Sequence, residues 1–161
     1  MKSLQARLNN WSGSSAQPKL SDMQWNLSAL VGIVLLAMAT LQLISFNDFK
    51  DVLSGIGLSS SPALWAALVL IAEVWGALSF FKIRLNYLGR TLGGFFALLA
   101  SGFWFYQSLK LVSEGAAGQL PNSGFFGKYL HQSPGWWTVI EASLLLFLVL
   151  YLQSLSAKTR K

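Results

Sequence analysis

Apolar residues run through this chain in four blocks, at roughly 27–46, 63–81, 91–112 and 135–155. Each is close to the about 20 mostly apolar residues that a helix needs to cross a bilayer. The cores of the first and third blocks hold no charged residue. Ser61-Pro62 opens the second block as a cap followed by proline at the first helical position, and Ser133-Pro134 opens the fourth in the same way. The pattern predicts four transmembrane helices with polar segments at 1–26 and 156–161.

Composition supports that class. The chain has 161 residues, 53% of them hydrophobic and 11% charged, against about 25% charged in an ordinary soluble domain. Its mean hydropathy is +0.49. At this length it forms one domain, with no room for a separate soluble catalytic unit. With no cysteine in the sequence, the chain alone cannot carry out thiol–disulfide exchange or bind metal through thiolates.

The formal net charge of +6 would point to nucleic acid in a soluble protein; here its placement gives a different reading. Lys2, Arg7, Lys19, Lys82, Arg84, Arg90, Lys158, Arg160 and Lys161 fall on one side of the four blocks, and Lys50, Lys110 and Lys128 on the other. The side richer in Lys and Arg is the cytoplasmic one. Both termini are therefore expected in the cytoplasm of a cell with a bacterial-type inner membrane, and no nucleic-acid partner is expected. The first 26 residues lack the apolar core of a cleavable signal peptide. Leu4, Leu8 and Trp11 recur at helical spacing beside Lys2 and Arg7. A short helix on the inner leaflet and a disordered tail are both compatible with that pattern.

Helices in lipid associate through close backbone approach and a few polar contacts. Gly93, Ala97 and Ser101, each four apart, form a small-residue stripe on the third span, and Ala72 and Gly76 form a matching face on the second. Trp104, Phe105, Tyr106, Trp136 and Trp137 fall where an outer aromatic belt is expected, with Trp25 at the inner boundary. The expected architecture is all-α: a four-helix bundle with short connections except the last, at 113–133.

Two carboxylates lie inside the spans. Glu73 follows Pro62 by 11 residues, which places it about 16 Å deep, near the bilayer midplane. Glu141 lies about 10 Å from the outer face. A carboxylate at the bilayer centre has to face the bundle interior, pair, or become protonated. No Lys or Arg is available at the depth of Glu73, so its partners are expected among Gln42, Thr40, Ser101, Trp75, Trp104 and water. Glu73 is read either as a proton-bearing or ligand-binding group or as a packing hydrogen bond between helices. Glu141 carries the same two readings, with interfacial water nearer. His131, the one histidine, lies in the outer loop and cannot make a zinc or haem site unaided. Gly89, Gly93 and Gly94 lack the spacing of a dinucleotide fingerprint. The inventory contains no recognisable catalytic centre, metal site or evident cofactor. The outer loop is glycine-rich, at Gly115, Gly118, Gly124 and Gly127, yet apolar at Leu120, Phe125, Phe126 and Tyr129. It is expected to fold back on the bundle or to meet a partner.

Over about 27–155 the chain resembles the MauE family of methylamine-utilisation membrane proteins, within the broader DoxX-like group. Phe49-Lys50-Asp51-Val52-Leu53 with Gly57-Leu58 is similar to that family's "F…L…YGL" connection after its first span. Glu73 with Gly76 and Leu78 is similar to its second-span "E…G…L" pattern. Ser123-Gly124-Phe125-Phe126-Gly127, followed by Gly135-Trp136-Trp137-Thr138, resembles its "CGCFG … WWT" stretch, the most specific of these elements. The chain departs from the family in having Ser123 and Phe125 where two cysteines are common. Gln42 replaces a lysine late in the first span, and Glu141 stands for an arginine after "WWT".

The resemblance implies a setting beside a periplasmic thioredoxin-like protein, in the maturation of a disulfide-rich dehydrogenase subunit. Without the cysteines it implies a scaffold or partner-binding role, in which Ser123, Gly124, Phe125, Phe126 and Gly127 form the partner-binding loop. A redox role would need another chain or a bound quinone. Three readings follow: a non-enzymatic membrane accessory protein, a membrane subunit of a quinone-linked oxidoreductase with Glu73 and aromatic residues at the quinone, and a small proton-coupled transporter using Glu73. Four spans without a broken helix or inverted repeat speak against the last.

Overall fold

The computed structural model describes residues 19–115, 120, 122–129 and 132–158. Their regular structure is all-helical: α1 (Asp22–Ile44), α2 (Phe46–Gly55), α3 (Pro62–Leu78), α4 (Tyr87–Ser113) and α5 (Trp136–Lys158). Among them α1, α4 and α5 are long and apolar enough to cross a membrane, while α3 is an apolar helix of 17 residues.

The four apolar blocks all become helices, with ends set by local chemistry. The first starts five residues ahead of its apolar run because Ser21 and Gln24 form a reciprocal capping box, with bonds of 3.3 and 2.9 Å. α4 likewise begins early, where Asn86 Oδ1 accepts the Gly89 N–H at 2.7 Å. Pro62 does sit in the first turn of α3, but Ser61 does not cap with its side chain; its hydroxyl donates to the Ser60 carbonyl instead. α5 opens at Trp136, two residues past Pro134, with the Thr138 hydroxyl bonded to both the Gly135 N–H and its carbonyl.

The first connection contains an element that hydropathy alone passed over. The run that was expected to span to residue 46 breaks at Ser45, whose hydroxyl donates to the Leu41 carbonyl at 2.7 Å. α2 follows as an amphipathic helix that buries Phe49 and Leu53 and leaves Asp48 and Asp51 exposed. It lies against α1 and α3. The segment 1–18, including Leu4, Leu8 and Trp11, and residue His131 lie outside the described residues, as do 159–161.

The long helices pack in a ring, α1 on α3, α3 on α4, α4 on α5 and α5 back on α1, and among the described residues no two backbones approach across the diagonals. The starts of α1 and α4 meet the ends of α3 and α5 around one cavity, so neighbouring helices run antiparallel. We call that the terminal end of the bundle. The other, the loop end, carries α2 and residues 122–129.

Small residues decide how closely the helices approach. A Cβ on Gly76 would lie 2.8 Å from the Ala97 Cα, and one on Gly93 would lie 2.7 Å from the Ser79 Cβ. Gly93, Ala97 and Ser101 are buried on α4 and Ala72 and Gly76 on α3, so the two stripes meet as the sequence pattern predicts. On α1, a Cβ at Gly32 would sit 3.3 Å from the Ala77 carbonyl of α3. Replacing Gly76 by Val should force α3 and α4 apart and cost about 1–3 kcal/mol, whereas Gly102→Ala, which meets nothing within 4 Å, should not destabilise. Thermal unfolding of both variants in mild detergent checks this; equal melting temperatures would contradict it.

Candidate functional site

Glu73, Gln42 and Trp104 come from α3, α1 and α4 and meet in the interior of the bundle. Glu73 and Gln42 are fully buried and Trp104 is 1% exposed. One carboxylate oxygen, Glu73 Oε1, accepts the Trp104 indole N–H at 2.7 Å and the Gln42 amide N–H at 3.3 Å. The same Gln42 nitrogen donates to the Phe125 carbonyl at 2.9 Å. A single polar cluster thereby joins three helices and the loop that follows α4.

The acceptors in this cluster outnumber its donors. Glu73 Oε2 and Gln42 Oε1 are both buried and have no hydrogen-bond partner among the described residues. Carboxylate oxygens only accept, and an amide oxygen likewise, so the cluster has room for a further hydrogen, on Glu73 itself or from a water. Unmade bonds to buried polar atoms are costly, which marks this as the most chemically distinctive point in the bundle interior.

Aromatic rings seal the site from the loop end. The Trp104 ring centroid lies 5.1 Å from Phe103, 4.9 Å from Phe125 and 6.2 Å from Phe49 of α2. Trp104 is therefore not part of an interfacial belt, as its place in the sequence implied. It continues the buried stripe of Gly93, Ala97 and Ser101, and that 4-4-3 spacing was the signal for it. Tyr106, Trp136 and Trp137 are well exposed. Of the other partners considered for Glu73, Thr40 and Trp75 are exposed. Ser101 donates instead to the Ala97 carbonyl of its own helix at 2.8 Å.

The loop of Ser123, Gly124, Phe125, Phe126 and Gly127 folds back onto the bundle. Phe125 is 3% exposed, and the Phe126 ring lies 5.8 Å from it. Asn122, which sequence reasoning did not single out, organises the turn. Its Oδ1 accepts the Gly124 N–H at 3.0 Å and its Nδ2 donates to the Gly127 carbonyl at 2.5 Å; Asn ahead of glycines is the residue type for such a turn. Gly124 (φ +84°) and Gly127 (φ +57°) hold left-handed backbone. A Cβ on Gly127 would also collide with the Ser45 hydroxyl. The Lys128 N–H donates to that hydroxyl at 3.4 Å, and the Lys128 ammonium lies 3.3 Å from Asp48 of α2.

Glu141 stands apart from this cluster. It is half-buried on α5, and its Oε2 accepts the Gln132 amide at 2.8 Å. With Leu30, Val34, Phe125, Phe126 and Leu144 it lines a largely apolar groove of about 260 Å³ between α1 and α5. Among the described residues no cluster of three His, Cys, Asp or Glu is placed to hold a metal ion.

Comparison with family models, with curated proteins and with solved structures gives no match.

Isosteric replacement separates the roles within the cluster. Glu73→Gln keeps an oxygen for Trp104 and Gln42 and replaces the unpartnered Oε2 by an uncharged amide group of the same shape, so it should unfold within a few degrees of the native protein. Glu73→Ala strands the Trp104 indole N–H and one of the two amide N–H groups of Gln42, the other keeping the Phe125 carbonyl, and should cost about 1–3 kcal/mol for the buried indole alone. Thermal unfolding in detergent reads both. Equal stability of Glu73→Ala and native protein would show that the cluster contributes nothing.

Proposed function

We propose that this chain is a four-span, multi-pass protein of a bacterial-type inner membrane, with both termini cytoplasmic, and a cysteine-less member of the MauE/DoxX-like group. Its role in this reading is non-enzymatic: it assists the maturation or assembly of a periplasmic redox protein. The partner is a thioredoxin-like or dehydrogenase protein, or another membrane subunit, met at the loop end. Three of the four helices have the length and apolarity to cross a bilayer, and α3 shares their ring of contacts. Nine of the twelve Lys and Arg in the sequence belong to the terminal side, which supports the orientation.

The observation that carries the functional reading is the fixed loop. Residues 122–129 are held by Gln42, Ser45, Asn122 and the two left-handed glycines, while Tyr129 and the nearby Trp136 and Trp137 are exposed. A partner meeting a loop already ordered does not have to order it, and that raises affinity without new contacts. Exposed aromatic rings on a fixed frame are the side chains that dominate protein interfaces.

The α1–α5 groove supports a second reading, a membrane subunit of a quinone-linked oxidoreductase. An apolar groove with one polar pair at its end suits a lipid-soluble ring and tail. Glu141 and Gln132 line or adjoin it, whereas Glu73 is fully enclosed. Purified protein that carries no quinone, with unaltered turnover of its membrane complex in Glu141→Gln, would exclude this reading.

Two measurements test the first. The absence of native cysteine makes single-cysteine labelling direct: a membrane-impermeant maleimide should label Ser60→Cys in intact cells and label Lys161→Cys only after lysis. The reverse pattern would invert the topology. Affinity purification from native membranes in mild detergent should recover a periplasmic redox protein. Gly127→Ala, which dislodges the loop, should reduce that recovery about tenfold, as the loss of a central contact does. Unchanged recovery in Gly127→Ala, or respiratory subunits with a quinone in place of the redox protein, would overturn the accessory reading.

A further inference from the structure

The terminal end of the bundle holds a cavity of about 170 Å³ that the accessory role leaves unused. Its wall is drawn from α1, α3, α4 and α5 and includes Trp25, Ser28, Ser79, Arg90, Thr91 and Gln153. A site for one water needs about 10–15 Å³, so this space takes a polyatomic group.

Arg90 sets the sign of that space. It lies in the first turn of α4 and is 6% exposed, and its Nη2 donates to the Ile83 carbonyl at 3.1 Å. The hydroxyls of Ser28 and Ser79 donate to the carbonyls of Phe80 and Gly76, at 2.6 and 2.7 Å. Gln153 Nε2 donates to the Gly94 carbonyl at 2.6 Å. The hydroxyl protons of Ser28 and Ser79 and one amide N–H of Gln153 are thus turned onto the backbone, and Arg90 brings the positive charge to the wall. Among the described residues no carboxylate lines the cavity.

The surroundings extend the same pattern. Trp25 and Phe80 are shared with a second recess that also includes Ala29 and Lys82, and the Lys82 ammonium lies 5.6 Å from the Trp25 ring centroid. Lys19 and Arg84 belong to the same end, where Asp22 is the acidic residue of the second recess. Trp at a span boundary marks the headgroup level, and that is where a lipid phosphate lies. Guanidinium binds phosphate oxygens with a two-pronged fork, and basic recesses between spans take anionic headgroups.

We propose that this cavity seats the phosphate of an anionic membrane phospholipid. Arg90 is its principal partner, Lys82 stands at the rim, and an acyl chain passes along Ala29 and Phe80. The site is distinct from the Glu73 cluster and from the loop end.

Full-length protein, stripped of lipid in detergent, would be titrated with phosphatidylglycerol, with phosphatidylcholine of the same chains, and with inorganic phosphate. Thermal unfolding and native mass spectrometry are the readouts. Phosphatidylglycerol should raise the unfolding temperature and persist as a one-lipid adduct, while phosphatidylcholine and inorganic phosphate should do neither. Arg90→Gln should weaken the phosphatidylglycerol effect about five- to tenfold, the loss expected for one basic contact at a membrane surface, and Lys50→Gln at the loop end should retain it. If Arg90→Gln does not fold, the exposed Thr91→Glu, which brings a negative charge to the cavity, and Lys82→Gln decide in its place, and both should weaken the effect. Equal stabilisation by the two lipids, equal stabilisation by free phosphate, or an undiminished effect in the decisive variants would overturn the proposal.

Discussion

Inside a bilayer a polar side chain has no water to fall back on, so each hydrogen bond it makes has to come from another part of the protein. Glu73 meets that requirement by drawing Trp104 from α4 and Gln42 from α1 onto one carboxylate oxygen. Gln42 then reaches the Phe125 carbonyl, which extends the constraint to a loop 83 residues away in sequence. The arrangement fixes more than one distance at once. Rotating α1 or α4 about its axis would leave a buried donor without its acceptor, and lifting the loop would do the same to the carbonyl. Apolar packing between lipid-facing helices discriminates rotations weakly, because a leucine is as well solvated by a lipid tail as by another leucine. The buried polar cluster supplies the rotational specificity that leucines cannot.

Backbone proximity supplies the rest. Gly76 against Ala97 and Gly93 against Ser79 bring α3 and α4 to distances that no larger residue allows. That closeness is what lets the short Glu73 side chain, three residues before Gly76, reach the Trp104 indole across the seam. The small-residue stripe and the carboxylate are therefore one device: the stripe sets the separation and the hydrogen bonds set the rotation. α2 completes it by laying Phe49 over Trp104, which closes the cluster at the loop end.

Much of this was legible in the sequence, because long-range apolar blocks, small residues four apart and a lone deep carboxylate are each strong signals in lipid. The four helices and the pairing of the two small-residue faces follow from them, and Gln42 and Trp104 stand among the partners expected for Glu73, although hydropathy does not single them out from Thr40, Ser101, Trp75 or water. What escaped is local and polar. The early starts of α1 and α4 come from the Ser21–Gln24 box and the Asn86 cap, which a hydropathy window averages away. α2 hides in the same average, because its apolar and acidic residues alternate at helical period and cancel. Trp104 was misplaced because an aromatic near a span end reads as a belt residue unless its helical face is followed back to Ser101. Arg90 read as one more topological charge; its burial depends on how four helix ends converge, and no single segment encodes that.

The seams of the ring differ for a reason that can be read off the glycines. α1 approaches α3 at Gly32, and α3 approaches α4 at Gly76 and Gly93, while the Gly94 carbonyl of α4 receives Gln153 of α5. α5 carries no glycine, and the single glycine of α1 is already turned to α3. The α1–α5 seam is the least closely approached of the ring, and large side chains stand along it: Leu30, Val34, Leu144 and Leu148, with Phe125 and Phe126 entering from the loop. One helix of the ring is therefore held more by the loop and by α4 than by its other neighbour. The latched loop has a structural duty here, since Phe125 lines the groove along this seam and Gln42 holds it there. Releasing Phe125 would unseal the Glu73 cluster and the groove together. The loop end and the bundle interior are thus joined by one hydrogen-bonded path, from the Phe125 carbonyl through the Gln42 amide to the Glu73 carboxylate.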